Sequence, residues 1–180
     1  MKLGRFQKYV DRHREDLATE HHVGDMGQLV LFIAFIVVWI TDAFVFKYST
    51  LLNDCIPFFA VRLWLGIIVL IVSVYMAWNG MVLVFGTVRE KPNIIRKGVF
   101  GWVRHPIYIS EILLYLGLLI FNISLSTAGV WVIGIVFLHY ISRYEEKMLL
   151  ERFGDDYRKY MKDVPMYFPR LFRKTSKAPK

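Results

Sequence analysis

Four stretches of this 180-residue chain are too long and too apolar for the core of a soluble domain, and they constrain its fold more than any other feature. Leu29 to Phe46 offers about 18 residues against the ~20 that a ~30 Å hydrocarbon layer requires. Phe58 to Val88 stays apolar for about 31 residues, roughly 46 Å of helix at 1.5 Å per residue. Such a helix must tilt, kink near Asn79-Gly80, or project beyond the bilayer. Ile107 to Phe121 and Thr127 to Ser142 are shorter, about 15 and 16 residues, and form a tight hairpin around Asn122-Ile123-Ser124-Leu125-Ser126. Asp42 falls near the far end of the first run, where its carboxylate can snorkel to the interface at little cost. With 56% hydrophobic residues and a mean hydropathy of +0.40, the expectation is an all-α integral membrane protein with about four transmembrane helices.

The formal charge of +8 could suggest nucleic acid, but its distribution points to a membrane surface, because the basic residues flank the apolar runs. Lys2, Arg5, Lys8, Arg12 and Arg14 precede the first run; Arg89, Lys91, Arg96, Lys97 and Arg104 separate the second from the third. Arg143 to Lys180 contributes eleven more, whereas the turns at 47–56 and 122–126 contain only Lys47. Positively charged connections stay cytoplasmic, so both termini, residues 98–108 and residues 143–154 belong on that side. The chain reads as a single domain over residues 1–180. It comprises an amphipathic segment (1–27, with Leu3, Phe6, Val10 and Leu17 on one stripe), two transmembrane helices (28–88), a charge-rich region holding the short hairpin (89–172) and a basic tail (173–180). No secretory leader is expected, since the first apolar run follows a mixed-charge segment. The lone Cys55 excludes an internal disulfide, His13, His21 and His22 lack ligand spacing, and no metal site is expected. No phosphate-binding loop or dinucleotide fingerprint occurs.

Chemistry concentrates at Arg104-His105-Pro106-Ile107-Tyr108, where a basic, glycine-containing loop (Arg96-Lys97-Gly98-Val99-Phe100-Gly101-Trp102) meets the third apolar run. Pro106 suits the first turn of a helix, where its missing N–H has no intrahelical partner. Arg104 and His105 then stand at a helix mouth that favours anions. The fourth run ends in Arg143-Tyr144-Glu145-Glu146 on the same side. His139, Arg143 and Glu146, spaced i, i+4, i+7, share a helix face that a closed hairpin could bring to Arg104 and His105. An interfacial belt of ion pairs would have the same spacing, so that alternative stays open. Glu111 is a candidate structural partner for Arg104 or Lys97, and Asn79 for a neighbouring helix. Phe153-Gly154 reads as a helix stop and restart. Pro165 and Pro169 end regular structure, and Tyr157, Tyr160, Tyr167 and Phe168 pack nearby on the cap or at the interface.

Lys97-Gly98-Val99-Phe100, Arg104-His105-Pro106-Ile107-Tyr108, Glu145-Glu146, the run Phe153 to Tyr160, and Val164-Pro165 with Pro169 together resemble the membrane methyltransferases. These are typified by isoprenylcysteine carboxyl methyltransferase and, more distantly, phosphatidylethanolamine N-methyltransferase. The resemblance covers about residues 89–172. It implies an S-adenosyl-L-methionine site facing the cytoplasm, with Lys97, Gly98, Val99, Phe100, Arg104, His105, Tyr108, Glu145 and Glu146 as cofactor-binding positions. The substrate would be lipophilic or lipid-attached, with no nucleic acid partner. Where the carboxyl methyltransferases carry a substrate-orienting arginine, about four residues before the cofactor-binding Glu, this chain has Ile141. Arg143 is the nearest substitute, with His139 and Glu146 as further candidates at the catalytic position. Membrane sterol and steroid reductases share a similar Arg-His-Pro-x-Tyr element followed by a Glu, here Glu111, and use NADPH; that resemblance implies a different reaction on similar residues. A non-catalytic membrane scaffold is the third reading.

The methyltransferase chemistry needs few protein groups. A sulfonium methyl is already an activated electrophile, so the protein has to position it and exclude water. A carboxylate acceptor is ionised at neutral pH and requires an orienting cation. An amine acceptor must lose a proton first, which a carboxylate or histidine would take.

Overall fold

The computed structural model describes residues 22–50, 53, 58–86 and 93–169. The expected amphipathic segment up to residue 21, Cys55 and the basic tail lie outside the described residues. Helix α1 runs from His22 to Ile40 and continues as a π-helical segment, Thr41–Phe46. Helix α2 is Phe59–Phe85, and a 3₁₀ turn at Gly98–Gly101 leads to α3, Pro106–Phe121. Helix α4, Leu125–Phe153, and α5, Asp155–Asp163, complete the described chain, which contains no strand among its described residues.

Three of these helical stretches, Met26–Phe46, Phe59–Phe85 and Leu125–Phe153, are long and apolar enough to cross a membrane. Helix α3 is apolar but has only 16 residues. The protein cannot cover its own apolar surface. In α2 only 17% of the apolar stretch is buried inside the protein, and Trp64, Ile71, Val74 and Trp78 all face outward. A contiguous exposed apolar surface of this kind requires a hydrocarbon solvent. The chain is a membrane protein.

Packing is set by glycines that let helices approach. Helix α2 lies along α3: a Cβ on Gly117 would come within 2.7 Å of Leu70, one on Gly66 within 2.5 Å of Phe121, and one on Gly80 within 2.8 Å of Ile107. Small residues at such crossings replace the hydrophobic drive that lipid removes. Ser73 adds a hydrogen bond to the Ser110 carbonyl at 2.6 Å. A kink near Asn79-Gly80 is one of three ways to fit the long second run, and no break in the helix marks one there. Helix α2 continues unbroken to Phe85, Gly80 serves as a contact with α3, and Asn79 donates to the Tyr75 carbonyl of its own helix rather than to a neighbour. Helix α1 packs on α4, and Leu31, Phe35 and Tyr115 form the core between α1, α3 and α4, with Phe35 stacked on Tyr115 at 4.4 Å.

The two ends of the bundle are both polar but differ in construction. At the hairpin end, Asp42 is not a snorkelling carboxylate. The π-helical segment turns it inward, where it accepts from the Ser49 backbone N–H at 3.1 Å and from the Ser49 and Ser124 hydroxyls. Ser124 also caps α4, its side chain accepting from the Thr127 N–H at 3.1 Å. Nearby, Arg62 donates to Asn53, which donates to Asn122. Hydroxyl and amide dipoles hold this end together. At the opposite end, α4 extends eleven residues past Ser142, about 16 Å at 1.5 Å per residue, and carries its charged residues beyond the apolar stretch. Gly154, at φ +52, then turns the chain back into α5.

Candidate functional site

The site is assembled at the end of the bundle where α3 begins and α4 overhangs. The 3₁₀ turn comes first. Gly98 has φ +57, and a Cβ there would lie 2.8 Å from Leu83, so the turn needs glycine on both counts. Val99 packs inside with Met76 and Val103, anchoring the turn to α2. Tyr160 from α5 donates to the Phe100 carbonyl at 2.7 Å, and Arg96 reaches the Asp156 carbonyl at 2.6 Å while lying over the Tyr160 ring. Lys97 and Gly98 are left exposed at the rim, with Phe100 half-buried behind them.

The chain then enters α3 through Arg104 and His105, with Pro106 at the first helical position as the sequence predicts. The Arg104 side chain is 9% exposed and fully engaged on one flank. Its Nε donates to Glu146 Oε1 at 2.7 Å, and its Nη1 donates to the Met161 and Val164 carbonyls at 2.9 and 2.8 Å. The backbone N–H groups of Arg104 and His105 donate to the Pro165 and Met166 carbonyls. Residues 161–166 thus form a strap over the Arg-His pair, which pays part of the desolvation of a buried guanidinium.

His105 bridges the two glutamates. Its Nε2 lies 3.3 Å from Glu146 Oε1 and its Nδ1 3.7 Å from Glu145 Oε2. Tyr108, one helical turn on, stacks against the imidazole at 5.6 Å and donates its hydroxyl to Glu145. Glu146 is buried within this cluster, while Glu145 retains 23% exposure. Glu146 therefore pairs with the buried guanidinium and Glu145 with His105 and Tyr108, while Arg143 Nη1 adds a looser contact to Glu146 Oε2 at 3.5 Å. Phenols around the cluster are shifted in the direction that burial dictates. Tyr157, Tyr160 and Tyr167 all have their pKa pushed up, chiefly by desolvation of the phenolate.

Arg104, His105, Tyr108, Glu145 and Glu146 thus meet in one network, while Lys97, Gly98, Val99 and Phe100 form the turn beside it. The helix face expected to point inward is rotated. Leu138, Ile141, Ser142 and Glu146 are the buried residues of α4 here, whereas His139 and Arg143 lie on its exposed side. Ile141 packs with Tyr108 and Leu138, so the position where the carboxyl methyltransferases carry an arginine is core in this chain. Arg143 is 62% exposed. Glu111 does not pair with Arg104 or Lys97; it accepts from Tyr115 one turn deeper in α3. Sequence reasoning missed the strap's carbonyls and the role of Tyr167. The Tyr167 hydroxyl donates to Ser142 at 2.9 Å, and its ring lies 6.2 Å from that of His105 and 5.8 Å from that of His139. Pro165 and Pro169 were the only signal, since prolines hold an extended segment without competing for helix bonds. Among the described residues no group of His, Cys, Asp and Glu has metal-binding geometry.

The bundle and its buried ionic cluster define a helical membrane protein with a polar site at one end. More specifically, the chain belongs to a family described as protein of unknown function (DUF1295), whose model matches residues 3–164. No curated protein and no solved structure matches it.

Proposed function

We propose that this protein is a multi-pass membrane methyltransferase that uses S-adenosyl-L-methionine to methylate a lipophilic acceptor at the cytoplasmic end of its bundle. The observation that supports this reading most is the convergence of Arg104, His105 and Tyr108 with Glu145 and Glu146 beside an exposed basic turn. The donor set suits the cofactor. Glu145 and Tyr108 offer partners for hydroxyl or ammonium groups, Lys97 a cation for a carboxylate, and the Gly98 turn a backbone edge that a ligand can approach. Bound there, S-adenosyl-L-methionine would supply the electrophilic methyl group. Glu146 holds Arg104 and His105 in place, and His105 orients Glu145. Helix α3 acts as the fourth, short span, and the basic connections keep both termini in the cytoplasm.

The acceptor that fits best is a carboxylate of the isoprenylcysteine type. Arg143 and His139 line the exposed side of α4 facing the membrane surface, where Arg143 can orient an anion and a lipid tail can stay in the bilayer. A phosphatidylethanolamine-type amine is the alternative acceptor. A second reading draws on the family, which is associated with steroid 5-alpha-reductase-like membrane proteins. On it, the Arg104-His105-Pro106 element would hold NADPH. Thermal unfolding in detergent separates the two. S-adenosyl-L-methionine is expected to raise Tm, as a ligand of the native state must, with the shift reduced in His105→Ala and Glu145→Ala. Stabilisation by NADPH instead would replace the methyltransferase reading with the reductase one.

A further inference from the structure

Tyr167 directly follows the strap, and its half-buried ring touches two imidazoles while its hydroxyl reaches α4. Its hydroxyl is tied to Ser142, which is buried and itself donates to the Leu138 carbonyl at 2.8 Å. The ring contacts both His105, clasped by Glu145 and Glu146, and His139, one turn before Arg143 on the exposed side of α4. The ring is tilted at 48° to the first imidazole and 53° to the second, so it stacks flat on neither. The local field has a sign. After desolvation and the Ser142 bond, the largest influences on the phenol are the carboxylates of Glu146 and Glu145, with Arg104 opposing them. A π face beside two carboxylates is a place for a cation.

We propose that Tyr167 is the residue that recognises the positive charge of the methyl donor, its ring face meeting the sulfonium centre beside His105 and His139. This rests on the methyltransferase reading and deepens it. A sulfonium is a cation with no hydrogen-bonding proton to offer, so hydrogen-bond acceptors distinguish it weakly from the neutral thioether that remains after transfer. An aromatic face distinguishes them by charge alone. A donor held this way loses its hold as the methyl group leaves with the charge, which favours release of the product.

The test compares the affinities of full-length protein in detergent for S-adenosyl-L-methionine and for its demethylated thioether product, by isothermal titration calorimetry. Tyr167→Phe keeps the π face and is expected to keep the wild-type ratio of the two affinities. Tyr167→Leu is expected to lower the ratio by about tenfold, equivalent to about 1.4 kcal/mol, by weakening the sulfonium ligand alone. If Tyr167→Leu does not fold, ring-fluorinated phenylalanines at position 167 drain the quadrupole without changing shape, and the ratio should fall with each added fluorine. Equal weakening of both ligands, or a ratio indifferent to fluorination, overturns the inference and leaves Tyr167 a purely structural wedge. Wild-type protein that binds neither ligand overturns the methyltransferase reading itself, and the inference with it.

Discussion

Glu146→Ala should be the most damaging single truncation at the site, and its cost can be worked from the contacts. Glu146 is 2% exposed and shares Oε1 between Arg104 Nε at 2.7 Å and His105 Nε2 at 3.3 Å. Removing one member of a buried ion pair strands the other, which costs about 3–5 kcal/mol. Arg104 keeps its two carbonyl partners at 2.9 and 2.8 Å, so the low end applies, about 3 kcal/mol. For a chain of this length each kcal/mol moves Tm by about 2–4 °C, giving a fall of about 6–12 °C in a detergent melt. Arg143→Ala supplies the control. Its guanidinium is 62% exposed and 3.5 Å from the same carboxylate, a contact worth less than about 1 kcal/mol. The pair Arg104→Met with Glu146→Leu should recover most of the lost stability, because apolar isosteres remove the desolvation penalty from both partners, yet it should abolish cofactor binding. A Glu146→Ala protein melting within about 2 °C of wild type would refute the picture of a buried, charge-paired centre.

Gly117→Val should lower Tm by several degrees by forcing α2 and α3 apart (about 1–3 kcal/mol), whereas Gly129→Ala, with nothing within 4 Å, should raise it slightly. Stability should fall as pH rises above about 10: unfolded tyrosines ionise there while Tyr157 and Tyr160 stay neutral, so the unfolded state loses protons first, and Tyr157→Phe with Tyr160→Phe should flatten that alkaline limb of urea titrations. With Cys55→Ser and Ser176→Cys, a membrane-impermeant maleimide should label position 176 only after cells are opened; labelling of intact cells would reverse the proposed topology. Arg143→Ala should cut turnover about a hundredfold, or about 2.7 kcal/mol, with cofactor affinity little changed and a rate flat from about pH 6 to 8; a rate climbing about tenfold per pH unit and indifferent to Arg143 would point to an amine acceptor.

The apolar runs made most of the helices legible because lipid-facing helices are apolar all round, and length alone then identifies them. The hairpin at 122–126 and the stop at Gly154 were legible for local reasons, a serine cap and a positive φ. Rotation was not legible, for the same reason that length was. A helix with lipid on one side and protein on the other has no strong polarity contrast to mark its buried face. His139, Arg143 and Glu146 share a stripe in the sequence, but only Glu146 turned inward, because Ile141 and Ser142 define the face that packs. Asp42 was read by its nearness to a helix end. Its actual environment depends on a π-helical register and on hydroxyls 7 and 82 residues away, which no local pattern reveals.

The strap explains why the ionic cluster stands where it does. A guanidinium and two carboxylates cannot be buried cheaply within hydrocarbon, so they sit where α4 has already left its apolar stretch. At that level, however, only α3 and α4 among the apolar helices contribute polar partners, and a helix cannot lend its backbone carbonyls because its own N–H groups occupy them. Free carbonyls must come from chain that is no longer helical. Met161 lies in the last turn of α5, where carbonyls are unsatisfied, and Val164, Pro165 and Met166 follow in a non-helical segment. The non-helical ending is thus the source of the acceptors that make a buried Arg104 tolerable. Once the strap lies over Arg104 and His105, it sets Tyr167 beside the imidazoles and ties it to Ser142 on α4. The same segment whose carbonyls accept from Arg104 and His105 therefore also delivers Tyr167 to α4, which is why charge pairing and the placement of that ring are inseparable in this fold.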